Sequence, residues 1–172
     1  MNKLIVTIAF AILTQIAVAQ QPKLAVISFD ALGAQLKTDQ LTELLRIEIS
    51  KHNKYEMIDR YEINEALTAA QLDIKNCFSK SCLGKAGEIL KVDYAMSGSA
   101  DLLGDAMFIR LRMINLQNNT LEKEVVKEFL NIPEKVNTMI SICVNELVGI
   151  ANDELIVRSL SNKESYESAV NN

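Results

Sequence analysis

Three cysteines, one histidine and a scatter of carboxylates are the groups in this chain whose types could support chemistry. Cys77 and Cys82 bracket Phe78-Ser79-Lys80-Ser81 in an irregular stretch. In an oxidising compartment such a pair is expected to form a disulfide that restrains the loop and contributes about 2 kcal/mol. Four intervening residues is also a permitted zinc-ligand spacing, but a zinc site needs two further ligands, and His52 is the single histidine. Cys143 falls on an apolar helical stripe, where a thiol behaves as a small hydrophobe. A nucleophilic triad would have only His52 as its base, and His52 stands in the polar run Lys51-His52-Asn53-Lys54, which reads as a surface helix end. Paired carboxylates are available from Asp101 and Asp105, or from Asp30, all in turn contexts where acids are mostly structural. Gly84 and Gly87 lack the flanking Gly and Lys-Ser/Thr of a phosphate-cradling loop. The expectation is therefore no catalytic, cofactor-binding or metal-binding set, and a protein that is not an enzyme.

The compartment follows from the first residues. Lys3, an apolar run from Leu4 to Leu13, and the small-residue site Ala17-Val18-Ala19 make residues 1–19 a cleavable export signal. A membrane anchor needs roughly 20 apolar residues, and Thr14 and Gln15 interrupt the run. No cysteine follows it to accept a lipid. Removing Lys3 with the leader takes the net charge from −4 to −5, so the mature chain has no electrostatic attraction for nucleic acid. It has no Trp and few Tyr or Phe for a stacking platform. About 150 residues remain, enough for one domain with an aliphatic core.

The elements that must position these groups are legible from periodicity. Residues 23–29 form an apolar β-branched run ended by the turn-like Asp30-Ala31-Leu32-Gly33, a first strand. Leu41, Leu44, Leu45 and Ile49 recur at helical spacing in residues 38–52, with Lys51, His52 and Lys54 suited to that helix's negative end. Residues 55–58 read as a second strand, and Asp59 with Glu62 as the capping start of a helix bearing Ile63, Ala66, Leu67 and Ala70. After the polar stretch 73–80, Leu83, Ala86, Gly87 and Leu90 predict a third helix in which Gly87 permits close packing. Residues 92–103 read as a strand, and Gly104-Asp105 as the hairpin turn into another beginning at Ala106.

In that fourth strand Met107, Ile109, Leu111 and Met113 alternate with Phe108, Arg110, Arg112 and Ile114, the period of two expected when one face is buried. A fifth strand over 121–131 places Glu122, Glu124, Val126 and Glu128 where its acids can pair with Arg110 and Arg112. Pro133 opens a last helix with an apolar stripe of Val136, Met139, Ile140, Cys143, Val144 and Leu147. The fold expected is α/β (α+β): a single mixed sheet of about five strands covered by helices, in the order βαβααβββα. Residues 20–150 form the domain and 151–172 a polar tail expected to be disordered, with Leu155, Ile156, Val157 and Leu160 as its docking candidates.

Residues 24–147 resemble the superfamily that includes the amino-terminal domain of TolB, the curli secretion protein CsgG and the lipoprotein activators of penicillin-binding proteins. The cues are Leu24-Ala25-Val26-Ile27-Ser28-Phe29, then Tyr55-Glu56-Met57-Ile58-Asp59-Arg60 entering a helix, then Val92-Asp93-Tyr94-Ala95-Met96-Ser97-Gly98-Ser99 before Gly104, and the long strand 108–116. Related sequences often carry a cysteine pair where Cys77 and Cys82 stand. The resemblance implies a stand-alone, non-enzymatic module that binds protein partners in secretion, outer-membrane assembly or control of wall synthesis. It would act in the periplasm or at the outer membrane, or be secreted, as a monomer or homo-oligomer, without nucleic acid, cofactor or integral membrane segment. The lipidated cysteine and barrel hairpins of the pore-forming members have no counterpart here. Arg60 is expected to satisfy strand-end carbonyls. A free sheet edge and the face bearing Arg110 and Arg112 are the candidate partner-binding surfaces. A carrier of a small apolar ligand, using the Met-rich face of the fourth strand and last helix, is the alternative, and a hydrolase using His52 the remote one.

Overall fold

A computed structural model describes residues 20–33, 36–75 and 77–162; the expected leader, residues 1–19, lies outside the described residues. The chain runs β1 (Lys23–Leu32), α1 (Thr38–Ser50), β2 (Glu56–Met57), α2 (Arg60–Ala69), α3 (Lys80–Leu90), β3 (Tyr94–Leu103), β4 (Ala106–Asn115), β5 (Thr120–Leu130), α4 (Val136–Val148) and α5 (Glu154–Ser161). The strands form one sheet in the order β2-β1-β3-β4-β5, with β1 parallel to β2 and β3, and β4 antiparallel to β3 and β5. The expected mixed five-stranded α+β fold and element order are present, with α5 added.

Topology decides which sheet face each helix covers. The crossover from β1 to β2 steps one way across the sheet and that from β2 to β3 steps back past β1. Right-handed connections therefore put α1 on one face and α2 with α3 on the other. On the α1 face, Leu41, Leu45 and Ile49 pack with Leu24, Val26, Phe29 and Met96. The buried side of β4, Met107, Ile109, Leu111 and Met113, closes there against Met139, Ile140, Cys143 and Val144 of α4. Those four β4 side chains are 0–2% exposed, so the face that would hold a carried ligand is filled by the protein's own core. The second cluster joins Ala25, Ile27 and Ala95 to Ile63 and Leu67 of α2 and to Leu83 and Ala86 of α3. At Gly87, a Cβ would stand 2.8 Å from Leu116 Cδ1, so the glycine lets α3 approach the end of β4 closely, as its position predicts.

Three local expectations are corrected. First, Asp30-Ala31-Leu32, expected as a turn, continue β1 opposite Ser99, Ala100 and Asp101, and the chain turns at Gly33, whose φ is +74°. Pairing with β3 overrides their turn composition. Second, Lys54 donates to the Val148 carbonyl, so this cation suits the C-terminal end of α4 rather than of α1. Third, within the tail expected to be disordered, residues 154–161 form α5, with Asp153 accepting from the Leu155 and Ile156 N–H groups and Leu160, one of the expected docking positions, 3% exposed in the α1-side core; residues 163–172 of that tail lie outside the described residues. Leu160→Ala is expected to weaken the docking of α5 by about 2 kcal/mol, a factor of about 30 in amide exchange confined to that helix. Exchange unchanged in α5 would contradict this packing.

Candidate functional site

α3 covers the second face of the sheet only at the start of β3 and the end of β4, around Ala95 and Ile114, and because β3, β4 and β5 are joined by hairpins no crossover helix covers the rest. The helices that follow, α4 and α5, return to the α1 side. The face left open carries the polar half of each strand's alternation: Ser97, Ser99 and Asp101 on β3, Arg110 and Arg112 on β4, Glu124 and Glu128 on β5. A shallow depression of about 170 Å³ in it is lined by Asp30, Phe78, Ser97, Gly98, Ser99, Asp101, Arg110 and Arg112.

The arginines have different surroundings. Arg112 is opposite Glu124 and donates from Nε and Nη2 to its Oε1 at 3.1 and 2.8 Å. Both side chains are about a third exposed, so the pair is worth only about 0.2 to 1 kcal/mol and aligns strands more than it stabilises them. Arg110 instead lies between Ser99 and Val126, is exposed, and forms no ion pair among the described residues. Of the two expected pairings with β5 acids, only that of Arg112 forms. Ser99 Oγ donates to Asp101 Oδ2 at 3.1 Å, and Asp30 Oδ1 accepts from the Ala31 N–H at 2.8 Å. Asp30 and Asp101 thus share the depression, whereas Asp105, at the hairpin turn, does not line it.

Phe78 bounds the depression and is positioned by the disulfide. Cys77 and Cys82 are bridged, with sulfurs 2.10 Å apart. Ser28 Oγ donates to the Cys77 carbonyl at 3.0 Å, and Ser79 Oγ accepts from the Cys82 N–H, capping α3. The bridge therefore ties the preceding loop to the first turn of a helix while the serine pins it to β1. Ser97, Ser99 and Phe78 were missing from the sequence-based candidates. The period-two spacing of Ser97, Ser99 and Asp101 carried a signal for the first two, and nothing local carried one for Phe78.

Arg60 does not make the expected carbonyl bond: it is exposed, donates to Tyr61 Oη at 2.7 Å and lies over that ring. Arg46 makes one instead, donating from Nη2 to the Val26 carbonyl at 3.1 Å while pairing with Glu43. Cys143 is fully buried, and burial pushes its thiol up to about 12. With pH 8 far below that value the thiolate is absent from the folded state, so a thiol reagent is expected to find no group in folded protein. It should find one per chain after denaturation without reductant; three would refute the bridge. Among the described residues no cluster of His, Cys, Asp and Glu is placed to hold a metal ion, and no helix is long and apolar enough to cross a membrane.

No family model matches the sequence, and no curated protein does. Solved structures do match. The LpoB C-terminal domain from Salmonella enterica superposes with a TM-score of 0.57 at 15% identity, over 67% of this chain and 87% of that one. The chain has the LpoB fold. The Escherichia coli LpoB C-terminal domain gives 0.54 at 15% identity, over 71% of this chain and 92% of that one. Lipoprotein GNA1162 from Neisseria meningitidis gives 0.55 at 10% identity, over 76% and 99%. The resemblance read from the sequence is borne out at the level of the LpoB fold, and identities this low carry the fold alone.

Proposed function

We propose that the chain is a non-enzymatic, exported module of the cell envelope that binds a partner protein through the open sheet face centred on Arg110. The observation that carries this reading is an exposed guanidinium without an ion pair among the described residues, on a three-stranded antiparallel platform beside a disulfide-held aromatic. Such a surface is shallow and mixed in charge and offers no enclosed volume for a small substrate, which suits a protein contact. The leader-like residues 1–19 and the LpoB fold support action in the periplasm or at the outer membrane.

A partner for this face must bring a carboxylate to Arg110 and tolerate the acids around it. Arg110→Glu is expected to weaken retention of a specific envelope protein from membrane extracts by at least about tenfold, as for a charge pair removed from an interface. The unfolding midpoint should stay within about 0.5 kcal/mol of wild type, because the side chain is exposed. Equal retention by both proteins, or no specific partner in repeated trials, would count against the reading.

A further inference from the structure

The outer edge of β1 holds a second surface. β1 pairs with β2 only at Lys23 and Leu24, so from Ala25 to Leu32 that edge has no strand partner among the described residues. Exposed edges of this kind invite pairing with another chain. Here the edge is recessed at the floor of a cleft of about 590 Å³, walled by α1 on one side and by α2 with Ile74 and Lys75 on the other. Phe29 lines the cleft although its side chain is 2% exposed in the α1-side core, so it contributes backbone.

Side chains already imitate a neighbouring strand along this edge. Arg46 supplies a donor to the Val26 carbonyl, and the Asp30 carboxylate an acceptor to the Ala31 N–H. The bulge at Ile27 resets the alternation, so the outward-facing backbone passes from Leu24 and Val26 to Phe29 and Ala31.

We propose that this cleft takes one extended segment of a partner protein, added as a strand beside β1, with basic side chains toward α1 and acidic ones toward α2. The inference rests on the reading of the chain as a protein-interaction module and uses a different surface from Arg110. Charge complementarity chooses the occupant. The α1 wall presents Asp39 and Glu43, the latter already paired with Arg46, and the opposite wall presents Arg60 and Lys75. Asp39 and Lys75 form no ion pair among the described residues. Alternate residues of a strand point to opposite faces, so an incoming segment meets the acidic wall at every second position and the basic wall between. A folded sheet edge such as β5 brings α4 and α5 with it, and a cleft between two helices has no room for them.

The test uses isotope-labelled mature chain and a blocked eight-residue peptide of alternating lysine and glutamate, with a peptide of four lysines followed by four glutamates as control. The alternating peptide is expected to shift the amides of Phe29 and Ala31, to slow exchange at Phe29, and to bind at least tenfold more tightly than the control. Asp39→Lys, and independently Lys75→Glu, should each weaken it several-fold, while Arg110→Glu leaves it unchanged. Failure at this edge with the Arg110 contact intact would sink this inference alone; failure of both would sink the module reading. The inference is overturned by shifts confined to the Arg110 face, by no shift at millimolar peptide, by equal binding of the two peptides, or by self-association of peptide-free protein that Asp39→Lys abolishes.

Discussion

Gly98→Ala is expected to destabilise the protein by about 2 to 3 kcal/mol, although removing a glycine from a strand interior ordinarily stabilises it. Gly98 is in β3 on the α1 side of the sheet, and the ring of Phe29 from β1 lies across it. A Cβ built there stands 2.5 Å from Phe29 Cε2, 2.6 Å from Cδ2 and 3.1 Å from Leu111 Cδ2. Phe29 is 2% exposed and enclosed by the core, so the ring cannot swing aside without displacing its neighbours. The sign of the effect is diagnostic. Chemical denaturation of Gly98→Ala, Phe29→Leu and the double variant should give a coupling of at least about 1 kcal/mol, because the smaller side chain relieves the overlap. A cost below about 0.5 kcal/mol with Phe29 present would mean that the ring is not packed on the glycine.

Replacing both Cys77 and Cys82 by alanine is expected to lower stability by about 2 kcal/mol, the entropy of closing so short a loop, with a further loss from the missing Cys77 sulfur in the core. Reductant added to the wild type should reproduce the first part of the loss in a urea titration and leave the double variant unaffected. Partner binding should fall further than global stability, because the bridge positions Phe78 beside the open face. A reductant-insensitive midpoint would remove the bridge from the account.

The element order was legible because both periods are clean: alternation in β4 and β5, and helical spacing in α1, α3 and α4 each mark one buried side. The misreadings have a common origin in contacts between distant parts of the chain. Asp30-Ala31-Leu32 has a turn's composition, and only the β3 partner makes it strand. The α5 segment is half polar, and what orders it as a helix is the contact of Leu160, with Val157, against the distant α1-side core. Arg46 was overlooked and Arg60 favoured because a strand-end position is visible in sequence, whereas the carbonyl that Arg46 satisfies lies on β1, twenty residues away.

The site was half legible for the same reason. Arg110 and Arg112 stand out as cations alternating with a buried stripe, yet the sequence assigns them equal roles. Register separates them, since Arg112 meets Glu124 and Arg110 meets Val126. The openness of the face is itself topological. It follows from hairpins replacing crossovers after β3 and from α4 and α5 choosing the other side, neither of which a local pattern encodes.

Photo-crosslinking in living cells tests the contact surface most directly. A photoreactive residue placed singly at Val126 or Glu128, which flank Arg110 on the open face, should yield the same discrete adduct with one envelope protein. The same residue at Lys51 or Lys135, on the helix-covered side, should yield none. Adducts from Lys51 and Lys135 with none from Val126 and Glu128 would contradict the account.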